Sequence, residues 1–205
     1  MLHFKRSDID AMEKIFRLNL INSCTGYKSA NLIGTQSKEG KTNLAVFSSI
    51  THLGSNPPLI GFVLRPTTVP RDTYRNLKES SLFTVNHIHY KSVADAHHTS
   101  AKYPEDVSEF SKTDFEPEYL DGFQAPFVKD AKVRLGCRFL NEYPIKENNT
   151  LLLVCEIEAI HIEDGILEAD GWLNLEHAGS VSINGLDGYS KPKLIERFVY
   201  AKPTR

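Results

Sequence analysis

The sequence predicts a mainly β protein, a β-barrel with peripheral helices. Three observations predict it. Short apolar runs recur along the chain, separated by Gly, Pro and polar turn residues. Two late segments alternate apolar with charged residues at a period of two. Only a few short stretches carry helical spacing, and many short strands with few helices favour a barrel. A length of 205 residues suits one sizeable domain, so residues 1–205 are read as a single unit.

The elements follow in order. Ser7-Asp8-Ile9-Asp10 matches a helix-start pattern in which side chains satisfy orphan amides, and Ile9, Met12, Phe16 and Leu20 continue at roughly helical spacing. From Ala30 the period changes. "ANLIGTQS" and "TNLAVFSS" flank "KEGK", where Gly40 can supply a positive φ, so a hairpin is expected. "PPLIGFVL" reads as a strand buried on both faces, with Pro57 and Pro58 ahead of its paired part because neither can donate. Pro70 suits the first turn of a helix continued by "RDTYRNLKES"; "LFTVNHI" is a strand and "KSVADAHHTSAKY" is helical.

Residues 104–126, rich in acids, aromatics and turn formers, read as a long loop and a candidate lid. Val133, Leu135, Cys137 and Phe139 then alternate with Lys132, Arg134 and Arg138, and Cys155, Ile157 and Ala159 with Glu156 and Glu158. Paired, these strands would set Arg against Glu. Ile166 to Leu175 adds a short hairpin after Asp164-Gly165.

Bulk properties exclude several classes. With 24 basic and 26 acidic residues, the formal charge of -2 offers no general pull toward nucleic acid or anionic membrane. No apolar run approaches the ~20 residues that span a bilayer. The start "MLHFKRSDIDAMEKIF" lacks a signal peptide's apolar core. Cys24, Cys137 and Cys155 form no CxxC pair and no even disulfide framework, so a cytoplasmic protein with reduced thiols is expected. Adjacent residues on a helix diverge, which makes His97-His98 a poor chelate, and no metal site is expected.

Two stretches suggest phosphate chemistry. "GTQSKEGKT" almost spells a phosphate-binding loop, but the first glycine of that motif falls at Thr35, and the following "NLAVFSSI" reads as strand where the motif needs a helix. A charged hairpin tip is the better reading. Arg65, Thr67, Thr68, Arg71 and Thr73, by contrast, lie between a buried strand and a helix start, with Ser48 and Ser49 ending the neighbouring strand. A helix N-terminus offers free N–H groups and a positive dipole end, and Arg adds a forked donor suited to phosphate. On this chemistry alone, helix caps and surface ion pairs are the commoner use of such residues.

Five elements in order carry a resemblance. They are Gly40 with Asn43, Ser48-Ser49, Asn56-Pro57-Pro58, Thr73 with Asn76-Leu77, and Phe83-Thr84-Val85-Asn86; "SINGLDGY", ending at Tyr189, adds a Gly-rich segment. Together they resemble the flavin reductase-like, FMN-binding split-barrel family over most of residues 20–190. The resemblance implies an FMN cofactor with Asn43, Leu44 and Ala45 along the polar edge of its isoalloxazine, mainly through backbone groups. It places Ser48 and Ser49 toward the ribityl chain or phosphate, and Arg65, Thr67, Thr68, Arg71 and Thr73 on the phosphate. It also implies a homodimer. The expected activity is an oxidoreductase passing electrons from NAD(P)H or a protein donor through FMN to flavin or another small-molecule acceptor. A non-catalytic FMN carrier or electron relay is the alternative. No side chain need act as acid or base, so no catalytic residue is named.

One departure stands out. Where many of these reductases carry a G-D-H segment near the nicotinamide, this chain has Asn148, Asn149 and Thr150. Cys24, Cys137 and Cys155 read as small core hydrophobes rather than nucleophiles, Cys137 and Cys155 being on inward faces. His97 either lines the flavin's open face or is simply exposed, and Trp172 is either core or near the ligand.

Overall fold

The computed structural model describes residues 1–66, 68–69, 71–104 and 106–203. The elements run α1 (Arg6–Ala11), α2 (Lys14–Cys24), β1 (Lys28–Ser29), β2 (Asn31–Gln36), β3 (Thr42–Phe47), β4 (Thr51–Ser55), β5 (Pro58–Leu64), α3 (Asp72–Ser80), β6 (Leu82–His87) and α4 (Val93–His98). There follow β7 (Pro117–Glu118), β8 (Phe127–Val128), β9 (Val133–Ile145), β10 (Thr150–Ile162), β11 (Ser182–Asn184) and β12 (Gly188–Ser190). Short 3-10 turns lie at Tyr90–Ser92 and Glu109–Ser111.

The main sheet has seven strands in the order β3-β2-β6-β9-β10-β5-β4, all pairs antiparallel. The expected hairpin forms it at one end: β2 and β3 pair from Asn31↔Phe47 to Gln36↔Thr42, and Gly40 takes the turn at φ +86°. Gly34 of the near-miss phosphate loop serves packing. A Cβ there would stand 2.2 Å from the Pro126 carbonyl oxygen, so only glycine lets that chain cross β2.

The alternation in β9 and β10 produces the expected pair, with Arg138 bound to Glu158 on its outer face. Inside, Phe62 and Phe83 meet edge to face at 5.7 Å, and Cys137 and Cys155 are buried beside them, whereas Cys24, expected in the core, is exposed at the end of a helix that buries no residue. Leu167 bridges to Leu173 in the predicted late hairpin.

Four further expectations need correction. The first helix is two helices, neither burying a residue, because the Glu13 carboxylate accepts the Ile15 and Phe16 N–H groups and starts a new helix. Its apolar residues Ile15, Phe16, Leu18 and Ile21 are exposed. Strand β4, "THLGS", lacks an apolar signal because it is an exposed edge. Pro58 sits inside the β4–β5 ladder opposite Ser55, and strand β5 is not buried on both faces, since Val63 is exposed. The 104–126 segment contains a 3-10 turn and a strand, and buries Glu109 and Phe110. Pro70 lies outside the described residues; the helix is described from Asp72, with Arg71 as its N-cap.

Candidate functional site

Strand β3 is the edge of the main sheet, and the candidate residues gather along it. At one end Asn43 is buried, and its side-chain amide donates to Thr35 Oγ1 and Thr73 Oγ1, both at 3.1 Å. Asn76, one helical turn after Thr73, also donates to Thr35 Oγ1 at 3.0 Å. These bonds fix the start of α3 against β2 and β3. At the other end the Ser49 hydroxyl binds both backbone groups of Val63 on β5.

The segment between Leu64 and Asp72 connects β5, which Ser49 holds, to α3, which Asn43 holds. Arg65 and Thr68 are exposed there, and Thr67 lies outside the described residues. Arg71 is half-buried, and its Nε is buried with no hydrogen-bond partner among the described residues. Among the described residues no side chain caps α3, whose N-cap is Arg71 itself, so the first-turn N–H groups have no side-chain acceptor there. The neighbouring acid does not cancel this charge alone, since Asp72 is engaged by Arg75 at 2.7 Å. An uncapped helix N-terminus and a buried guanidinium nitrogen with no partner among the described residues are groups that can receive an anion.

Not every expected group is free to face a ligand. The Asn43 side chain is used within the protein, and the Leu44 N–H donates to Glu109 Oε2 at 2.9 Å. Leu44 itself is buried, while Ala45 and Ser48 are half-buried. The Ser49 hydroxyl is occupied by Val63, which leaves it a closure device first. Sequence reading missed Thr35 and Glu109. Thr35 gave no signal beyond its place in a strand, and Glu109 none beyond its acid-rich loop.

The place of the absent family histidine is also near this end. Leu151 of β10 pairs with Leu64, so the β9–β10 turn lies beside the chain entering Arg65. That turn is Asn148-Asn149-Thr150, with Asn149 at φ +57° and Asn148 Oδ1 accepting from Thr150 N and Oγ1. His97 is exposed beside Tyr189, its ring edge-on at 5.8 Å. Trp172 lies under the Arg197 guanidinium at 4.4 Å, against the C-terminal tail. Burial pushes the Cys155 thiol up to about 12, which suits a core residue and not a nucleophile.

A barrel-type antiparallel β fold with an Arg-bearing helix start beside its edge strand defines the class of protein, and comparison with known proteins makes that class specific. The model of the flavin reductase like domain matches residues 27–192, and the chain belongs to that family. It is similar to a crystal structure from Shewanella frigidimarina NCIMB 400 described as a candidate flavin reductase with a split barrel domain. The two are 40% identical, with a TM-score of 0.95 over 98% of this chain and 100% of that one. Nitrilotriacetate monooxygenase component B from Bacillus cereus shares the fold at 24% identity, TM-score 0.82, with 98% of each chain covered. An FMN-binding protein from Thermus thermophilus does so at 19% identity, TM-score 0.70, covering 87% of this chain and 93% of that one.

Proposed function

We propose that this chain is an FMN-binding oxidoreductase of the flavin reductase type. One observation carries the reading: among the described residues, the Arg71 Nε is buried and unpartnered at the uncapped start of α3. A buried charged donor without a partner is costly, and a bound phosphate would satisfy it. Arg71 and the first-turn amides of α3 would hold that phosphate. Arg65, Thr67 and Thr68 would close over it, and Thr73 would hold the helix start in place through Asn43. Ser48 would face the ribityl chain. The backbone of Asn43, Leu44 and Ala45 would line the polar edge of the ring, with the Leu44 N–H already committed to Glu109. Bound FMN would supply the redox chemistry, accepting an electron pair and passing it on. The protein's part is to bind, orient and exclude water, and NAD(P)H is the proposed donor.

The turn at Asn148–Thr150 favours a second reading. With Asn148, Asn149 and Thr150 at this turn in place of a histidine, the same site would serve a flavin carrier fed by a protein donor. The visible spectrum of the purified protein, before and after anaerobic NADH or NADPH, separates the two. Flavin bands that bleach establish the reductase, and bands that persist point to the carrier or to an enzyme fed by another electron source. A colourless protein that takes up no FMN refutes both.

We further propose a single domain acting in the cytoplasm as a homodimer. The apolar residues exposed on α2, with Ile195, Phe198, Val199 and Tyr200 of the tail, are surface a second copy could cover. Sedimentation at micromolar concentration checks the assembly, and a monomer would refute it. No described helix is long and apolar enough to cross a membrane.

A further inference from the structure

The 104–126 segment is stitched down at both ends. At its far end the Thr84 hydroxyl donates to the Pro126 carbonyl at 2.6 Å, over Gly34. At its near end the Thr42 and Ser108 hydroxyls lie 2.8 Å apart, and the Glu109 carboxylate takes the outward N–H of Leu44 at 2.9 Å. Glu109 is only 9% exposed, and its own carbonyl accepts from Lys112 N and Thr113 Oγ1, which folds the turn around it. Phe110 follows into the core beside Leu44. A buried carboxyl therefore sits on the one stretch of edge backbone that the FMN reading gives to the ring.

We propose that Glu109 is a positioning residue of the flavin site, holding the Asn43–Ala45 backbone and the segment from Ser108 to Pro126 in one fixed arrangement. The proposal rests on the FMN reading above. Edge strands have unpaired N–H groups and shift easily, and a side-chain acceptor at Leu44 removes that freedom where a ring needs constant geometry. Burial pushes the Glu109 carboxyl up, the Leu44 N–H draws it down, and Asp72 nearby raises it again. Glutamine is a fitting replacement, since its amide oxygen accepts the same N–H.

The test compares Glu109→Ala and Glu109→Gln with the wild type in three readouts. These are tryptic cleavage after the exposed Lys112, FMN affinity by fluorescence titration, and the visible band of bound FMN. In the alanine variant, cleavage should quicken and FMN affinity fall, each by about 10-fold, the size of one lost hydrogen bond. Its bound flavin band should move toward that of free flavin. Glutamine should restore all three. Should the alanine variant fail to fold, Glu109→Asp, with its carboxyl drawn back by one methylene, takes its place with the same expectation. Faster cleavage with unchanged affinity and band would overturn the proposal, leaving Glu109 as a simple pin. Glutamine behaving like alanine would overturn it as well. A wild-type chain that takes up no FMN would overturn the flavin reading itself, a result distinct from both.

Discussion

The hydroxyl of Ser49 donates to the Val63 carbonyl and accepts from the Val63 N–H, each at 3.1 Å. One side chain thus imitates a strand residue and joins the chain leaving β3 to β5, near opposite ends of the main sheet's strand order. The join brings the end of β3 beside the chain that leads to Arg71. Ser49→Ala should cost about 1 kcal/mol of stability, the net worth of exposed hydrogen bonds. Urea denaturation reads this directly, and an unchanged midpoint would mean the barrel closes without the serine.

Arg71 gives a prediction of the opposite kind. Its Nε has no partner among the described residues, so removing the side chain should hardly change the stability of the flavin-free chain. FMN binding should weaken by about 1–3 kcal/mol, the range of a charged hydrogen bond. Fluorescence titration with FMN and with riboflavin should show the loss for FMN alone, because riboflavin has no phosphate. Equal loss for both would place the phosphate elsewhere.

Gly34 tests the packing of the strap. An added Cβ would meet Pro126 O at 2.2 Å and Thr84 Oγ1 at 2.7 Å, and the first of these is backbone. Gly34→Ala should destabilise by about 1–3 kcal/mol, as overpacked sites do. Hydrogen exchange should show the loss concentrated in residues 108–128. Protection in that segment equal to wild type would show that the chain shifts aside freely.

His87 governs an acid limb. Burial holds its imidazole down at about 4, and Ser180 Oγ lies 3.4 Å from Nδ1. The unfolded chain binds a proton near pH ~6.5, which the fold refuses. The neutral ring's contribution is therefore full above about pH 6.5 and is lost as pH falls from there toward about 4. The loss should reach about 3 kcal/mol at most. Thermal unfolding between these limits should show this fall, and His87→Gln should flatten it.

What could be read beforehand differs by element. The β2–β3 hairpin was legible because Gly40 and the flanking apolar runs act within a few residues. The β9–β10 pair was legible because its period of two persists along both strands. The first helix misled, because Ile9, Met12, Phe16 and Leu20 carry helical spacing although neither helix buries a residue. Strand β4 was hidden since an exposed edge needs no apolar face.

By itself the sequence determined the β-rich class, the principal strands, and the clustering of Arg and Thr before α3. These follow from turn chemistry, periodicity and helix-end electrostatics, all local in the chain. Tertiary structure alone decided which of those groups stay available. Asn43 is spent on Thr35 and Thr73, Ser49 on Val63, and the Leu44 N–H on a carboxyl 65 residues away, while the Arg71 Nε is left without a partner among the described residues. Hydrogen bonds between distant segments depend on how strands register and where the strap lies, and no local pattern encodes either.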